Sequence, residues 1–196
     1  DQEKGWDENR MLRLRARSLK ASASSEPISQ QSHGTNPRKK TQRSLFWAAG
    51  YSFSRSHVVS NAPYEQWPAL FFGEEFAMAC KMFKSGYNFY APDHVLLYHL
   101  WDRNYRPVYT PVSSESSKED QRSQSQARVM DILTDDTAVT GDGVRRSLEE
   151  YKKFCGVDFE SRTCLDIAHR GGCSEDAFVP GVSSSLAAGL LETVMN

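Results

Sequence analysis

From Gly73 to Gly86 the sequence carries the pattern that most limits how this chain can fold. Phe76, Ala79, Met82 and Phe83 recur at spacings of three and four residues, which on a helix collects them into one apolar stripe. Glu74 and Glu75 stand at the start, where the positive end of the helix dipole favours carboxylates. Gly86 stands just past the end, where a left-handed residue commonly closes a helix. The spacing therefore predicts a helix over Glu74–Lys84. Short strands are expected after it, Tyr87–Ala91 and Val95–Tyr98 around the turn Pro92–Asp93. Before it, Leu45–Phe53 mixes aromatic and small residues, which suits a buried strand with a close backbone approach at Gly50. Asn61–Pro68 carries two prolines and reads as a turn-rich connection. Strand, helix and strand in succession make the fold class α/β.

Around this dense segment the chain is uneven. Met11–Arg17 alternates apolar and basic residues with period two, the mark of a half-buried strand. Ser18–Lys40 has too few apolar residues to offset the entropy of ordering it and is expected to be a mobile loop. Ser113–Gln126 is charged and of low complexity, and is expected to be disordered. Two short helices are expected next, about Ala127–Leu133 and Val144–Phe154. In the second, Val144, Leu148, Tyr151 and Phe154 or Cys155 make one face, and Gly156 is placed to stop it. The final dozen residues should fray. The expected organisation is thus a strand-bearing edge over 1–17, a flexible loop over 18–43 and a core over 44–111. A disordered linker over 112–126, a short helical region over 127–175 and a tail over 176–196 complete it. No internal repeat is present.

A chain of 196 residues is long enough for one ordinary domain. Its net charge of −1 provides no global field for nucleic acid or an anionic membrane, and the basic clusters Arg10–Arg17 and Arg38–Arg43 read as solvated faces rather than targeting or nucleic-acid signals. No apolar run approaches the roughly 20 residues needed to span a bilayer, and no signal peptide is visible. The chain opens on Asp1 rather than Met, so it is expected to start inside a longer protein. The four cysteines, Cys80, Cys155, Cys164 and Cys173, contain no C-x-x-C pair. Cys80 reads as a small buried hydrophobe. For the others, free thiols come first, then a disulfide, and last a zinc site including His169, whose spacing fits no standard finger.

Several residues carry chemistry. Gly73 before two carboxylates lets a ligand approach the backbone closely, and a carboxylate can accept from two sugar hydroxyls at once. Helix-dipole stabilisation alone would also account for Glu74 and Glu75. His99 is the first polar residue after the apolar Val95–Tyr98, a place that suits either a structural histidine or a metal ligand. Arg103 and Arg106 are interleaved with Trp101, Tyr105 and Tyr109. Cations and rings mixed in this way can clamp a diphosphate and cover a base or sugar, or simply form a basic surface loop. Walker and Rossmann glycine motifs are absent, and no Ser/His/Asp triad follows from the spacing.

Phe46–Phe53, Leu70–Glu75, Gly86–Pro92 and Tyr98–Arg103, in this order, resemble the GlcNAc-transferase family whose named members glycosylate hydroxyproline on the adaptor subunit of the SCF ubiquitin ligase. Arg145–Asp158 looks like that family's C-terminal pattern. The likeness covers Ser44–Pro111 and Arg145–Asp158. A more distant similarity to mucin-type GalNAc-transferases lies in Gly73-Glu74-Glu75, Pro92, His99, Arg103 and Pro107.

The resemblance implies the C-terminal portion of a GT-A-like glycosyltransferase domain with flexible insertions. It implies a UDP-sugar donor, a protein acceptor, a divalent cation such as Mn²⁺, retention at the anomeric carbon and a cytoplasmic setting. Carried over, Glu74 and Glu75 become the catalytic carboxylates that hold the sugar hydroxyls, and His99 a metal ligand. Gly73, Trp101, Arg103 and Arg106 fall to substrate binding, with the two arginines on the pyrophosphate. The His99–Arg103 spacing departs by one residue from the mucin-type pattern. The Asp-x-Asp or Asp-x-His element that completes the metal site in such enzymes is missing before Ser44, and Asp135–Asp136 come too late to supply it. The chain alone is therefore expected to be an incomplete catalyst. The alternative is a non-catalytic relative that serves as a protein- or glycan-binding module.

Overall fold

The computed structural model describes residue 12 and residues 42–70, 72–91, 115–141 and 143–172. The chain divides into two compact units. The first comprises Asp1–Leu14, Arg43–Phe89 and Val112–Gly172, and the second Arg15–Gln42, Tyr90–Pro111 and Cys173–Asn196. Nearly all the described residues belong to the first.

In chain order the elements are β1 (Gln42–Ser44), α1 (Val58–Asn61), α2 (Glu74–Lys84), β2 (Phe89–Ala91), α3 (Glu115–Thr134), a 3₁₀ turn (Asp136–Ala138), α4 (Leu148–Cys155), β3 (Val157–Asp158), β4 (Thr163–Cys164) and α5 (Asp166–His169). β1 pairs with β2, and β3 pairs antiparallel with β4, Val157 facing Cys164. Helices with small sheets make this a mixed α/β arrangement.

The α2 helix occupies the span its periodicity predicts, but it is not half-exposed. Phe76 through Lys84 are all buried, because α3 brings Val129, Ile132 and Leu133 against it and α4 adds Leu148, Tyr151 and Cys155. Cys80 is sealed in this contact, its thiol donating to the Ile132 carbonyl at 3.5 Å, and burial pushes its pKa up to about 12. It behaves as the small hydrophobe expected. Cys155 and Cys164 are also free thiols. Aromatic packing fills the rest of the core. Phe83 stacks on Phe154 at 4.7 Å, Tyr151 stacks on Phe159 at 6.1 Å, and Phe76 meets Phe46 and Phe159 edge-on.

Two lysines on α2 are buried because each has a partner. Lys81 Nζ donates to the Pro63 carbonyl and to Glu65 Oε1 at 2.8 Å. Glu65 also receives Arg128 of α3, Nε to Oε2 at 2.8 Å and Nη2 to Oε1 at 3.1 Å. Burial would raise the Glu65 carboxyl, but hydrogen bonds from Arg128 and Lys81 outweigh it and hold it below its usual range. Lys84 Nζ donates to the carbonyl and carboxylate of Asp136, at 2.6 and 2.9 Å.

The C-terminus of α2 closes as a Schellman turn, with Tyr87 N–H on the Met82 carbonyl and Gly86 N–H on that of Phe83. Gly86 sits at φ 92°, a conformation that a side chain would strain. Arg146 then caps the same end. Its guanidinium lies 4.4 Å over the Phe83 ring and donates to the carbonyls of Tyr87, Gly86 and Phe83.

Three sequence expectations are corrected. Leu45–Phe53 is not a buried strand. It bends and turns, with Phe53 90% exposed and nothing within 4 Å of where a Gly50 side chain would lie. Segment 113–126 is not disordered where it is described, because α3 begins at Glu115. Its buried end, with Ser125 Oγ on the Pro68 carbonyl at 2.9 Å, provides the nucleus. Good helix formers and the Glu119–Arg122 ion pair extend it outward. The later helix starts at Leu148 rather than Val144, because Ser147 and Glu150 form a capping box. Its Leu148, Tyr151 and Cys155 are buried and Gly156 ends it, both as expected. Of the strand expected over Met11–Arg17, Leu12 is described and packs half-buried against the core. The rest of that strand, the Ser18–Lys40 loop and Val95–Tyr98 lie outside the described residues.

Candidate functional site

The candidate site is built on the first turn of α2. Gly73 is its N-cap at φ 105°, ψ −28°, so an L-residue there is strained by about 1–2 kcal/mol. The Gly73 carbonyl accepts from Ala77 N–H at 3.1 Å. This conformation starts the helix and aims the next two side chains. A Gly73→Ala variant is expected to lose about that much stability, read as a lower urea midpoint. An unchanged midpoint would mean that the turn relaxes without strain.

Glu74 and Glu75 share the helix turn but have different environments. Glu75 Oε1 accepts from the backbone N–H of Ala49 at 2.7 Å. The turn it holds is closed by Trp47 Nε1 donating to Ser52 Oγ at 2.9 Å. One oxygen of Glu75 is therefore occupied in fixing the segment that was expected to be a strand. Glu74 is different. Its Oε2 is buried and finds no hydrogen-bond partner among the described residues. Burial pushes its pKa up to about 7 against a hydrogen bond from its own backbone, and the Glu75 charge adds to the rise. Its Oε2 is short of a donor, which a polyol would supply.

Tyr64 and Trp67 precede α2 in the chain. Their rings meet edge-on, 5.1 Å apart at 67°. Tyr64 is 60% exposed, while Trp67 is nine-tenths buried and its indole N–H lacks a partner among the described residues. Burial raises the Tyr64 phenol, and the charges of Glu74 and then Glu75 raise it further. The sequence reading passed over these two aromatics as part of a turn. The available signal was two large rings between Pro63 and Pro68, immediately before the carboxylates.

Of the residues singled out from sequence, Gly73, Glu74 and Glu75 are brought together. His99, Trp101, Arg103 and Arg106 lie outside the described residues. Among the described residues no three His, Cys, Asp or Glu side chains gather in a way that would hold a metal ion. Asp135 and Asp136 have other work. Asp135 caps the 3₁₀ turn through Thr137 N–H at 2.8 Å, and Asp136 pairs with Lys84. Among the described residues no helix is long and apolar enough to cross a membrane.

A family model described as glycosyltransferase (GlcNAc) matches residues 6–161. That range includes every candidate site residue named above. No curated protein and no solved structure matches the chain.

Proposed function

Because the chain belongs to the GlcNAc glycosyltransferase family, we propose that it takes part in moving GlcNAc from UDP-GlcNAc to a protein hydroxyl, with hydroxyproline as the acceptor. The observation that carries this reading is the Glu74 carboxylate, half withdrawn from water at a helix start and with one oxygen lacking a partner. Desolvated acceptors of this kind bind hydroxyl donors well, since the ligand replaces the water they have lost. In this reading Glu74 accepts from the sugar hydroxyls. Glu75 holds the 47–52 turn through Ala49 and offers its remaining oxygen to the sugar.

The proposed transfer proceeds with retention on a GT-A-type scaffold in the cytoplasm. The bond from the anomeric carbon to the phosphate oxygen breaks, and its electron pair leaves with UDP. The acceptor oxygen bonds to the same face, and its proton passes to the departing diphosphate. Arg103 and Arg106 are proposed to meet that diphosphate, with Trp101 beside the nucleotide or sugar. His99 is proposed as a ligand for a divalent cation, with Mn²⁺ the ion the family resemblance implies. When bound, such a cation supplies Lewis-acid stabilisation of the leaving group. The described residues offer no cluster of three His, Cys, Asp or Glu side chains for it.

The test, made with the full-length protein, is transfer from UDP-GlcNAc to a hydroxyproline peptide in MnCl₂, followed by mass. A gain of one N-acetylhexosamine on the peptide is expected, abolished in His99→Ala with the fold retained by circular dichroism. Peptide binding without any mass gain would favour the non-catalytic binding module. Wild-type turnover by His99→Ala would remove His99 from the site.

A further inference from the structure

Beyond the turn that Glu75 holds, the chain passes through Ser52–Arg55 without turn or bend. Serine alternates there with Phe53 and Arg55, the period of a strand, yet no strand among the described residues pairs with it. Among the described residues none of the four backbone N–H groups has a hydrogen-bond partner, and Arg55 forms no ion pair. Phe53 is 90% exposed and Tyr51 before it 49%. Water alone can serve an exposed loop, but this run is also tethered at both ends. Glu75 binds the Ala49 N–H at 2.7 Å, and Trp47 Nε1 donates to Ser52 Oγ at 2.9 Å. At the far end the Arg55 carbonyl accepts from Val58 N–H at 3.1 Å, and the His57 ring packs on Tyr87 at 5.8 Å. A fixed, open backbone edge carrying a large apolar side chain is the form in which one chain recruits a strand of another.

Phe53 stands four residues beyond Ala49, so its Cα lies within about 14 Å of the backbone that Glu75 holds. A polypeptide whose hydroxyl meets a sugar at Glu74 and Glu75 spans that distance with about four extended residues of its own. We propose that Ser52–Arg55 docks the acceptor polypeptide by strand addition, with residues flanking the acceptor hydroxyl pairing their backbone to this edge, an apolar side chain covering Phe53 and a carboxylate meeting Arg55. This deepens the transferase reading and rests on it, adding that the acceptor is recognised as an extended acidic segment rather than by its reacting residue alone. Charge favours such a partner over a second copy of the chain. Residues 48–60 contain no Asp or Glu, so two copies paired edge to edge would offer Arg55 no acid, whereas a carboxylate can take its guanidinium bidentately.

The test uses the full-length protein and two hydroxyproline peptides, one with flanking aspartates and one with lysines in their place. Transfer is followed by mass, with KM measured separately for peptide and UDP-GlcNAc. Wild type is expected to favour the aspartate peptide and Arg55→Glu the lysine peptide, each by roughly 10-fold in KM. Phe53→Ser should raise KM for both peptides by a similar factor and leave KM for UDP-GlcNAc in place. N-methylation of alternate flanking amides in the peptide should weaken binding for one alternate set and spare the other, because only one edge of an added strand faces the protein. Both substituted positions are exposed, so the variants keep the core intact. Peptide KM and charge preference unaltered in both variants would overturn the docking edge, while transfer by wild type would leave the transferase reading standing. Peptides that bind wild type with the same charge preference, read by fluorescence anisotropy, but gain no mass would overturn the transferase reading and keep the edge as a peptide site. A dimer that Phe53→Ser dissociates with peptide KM unchanged would overturn the proposal and assign the edge to a second copy.

Discussion

Glu74→Gln is expected to stabilise the protein above pH 7 while removing roughly 10²-fold of its kcat/KM for UDP-GlcNAc. Burial raises the Glu74 carboxyl from its usual 4.5 to about 7. Between those values the folded state keeps a proton that the unfolded state releases, so stability falls as pH rises through this window. Above about 7 the penalty is complete. A shift of that size would correspond to about 3 kcal/mol for a sealed carboxyl, but this one is only half withdrawn from water, and screening reduces the figure to about 1–2 kcal/mol. Glutamine carries no charge to desolvate, so the gain should appear in urea melts at pH 8 and vanish at pH 4. Equal gains at both pH values would mean that the effect comes from packing rather than from charge. The loss of activity has a separate origin. An amide still accepts through its oxygen, but without the charge that strengthens bonds from sugar hydroxyls. A stable variant that turned over at the wild-type rate would take Glu74 out of the site.

What the sequence made legible here was local. The α2 helix, its acidic start and the Gly86 closure depend on residues within a few positions of one another, and the pattern contains them. The Ser147–Glu150 capping box was equally local and should have moved the start of α4 from Val144. The failures lie where partners are far apart in the chain. Nothing near Lys81 or Lys84 announces that both are buried, because their acids lie 16 and 52 residues away. Leu45–Phe53 has the composition of a strand, yet its backbone is held by a carboxylate 26 residues on. The polar half of α3 looks disordered alone and is helical because its other end is packed on α2. In the site, Glu74 and Glu75 were legible as a pair, but not the division between them. Glu75 is bonded to the backbone and Glu74 Oε2 is left without a partner among the described residues, a difference set by tertiary packing.

Asp136→Ala is expected to cost about 3 kcal/mol, far more than Lys84→Met, although the two residues share one ion pair. The asymmetry follows from exposure. The Lys84 side chain is 1% exposed and that of Asp136 58%. Removing the lysine charge leaves a carboxylate that water can solvate, at a cost of about 1 kcal/mol. Removing the acid leaves a buried ammonium with, among the described residues, only the residue 136 carbonyl, at 2.6 Å, to satisfy it. The same carboxylate also accepts the Leu148 N–H at 2.7 Å, so its loss takes the acceptor from the first N–H of α4 as well. The Lys84 hydrogen bond, with the Leu148 N–H second, holds the Asp136 carboxyl below its usual 3.8. This contribution is accordingly full above pH 3.8 and is lost as pH falls through the lower folded-state value. Urea melts of Asp136→Ala, Lys84→Met and the double variant at pH 7 would measure the pair. The double variant should recover most of the Asp136→Ala loss, because methionine leaves no charge stranded. Equal losses in the two single variants would mean that Lys84 reaches water, and that α2 is not sealed on this side.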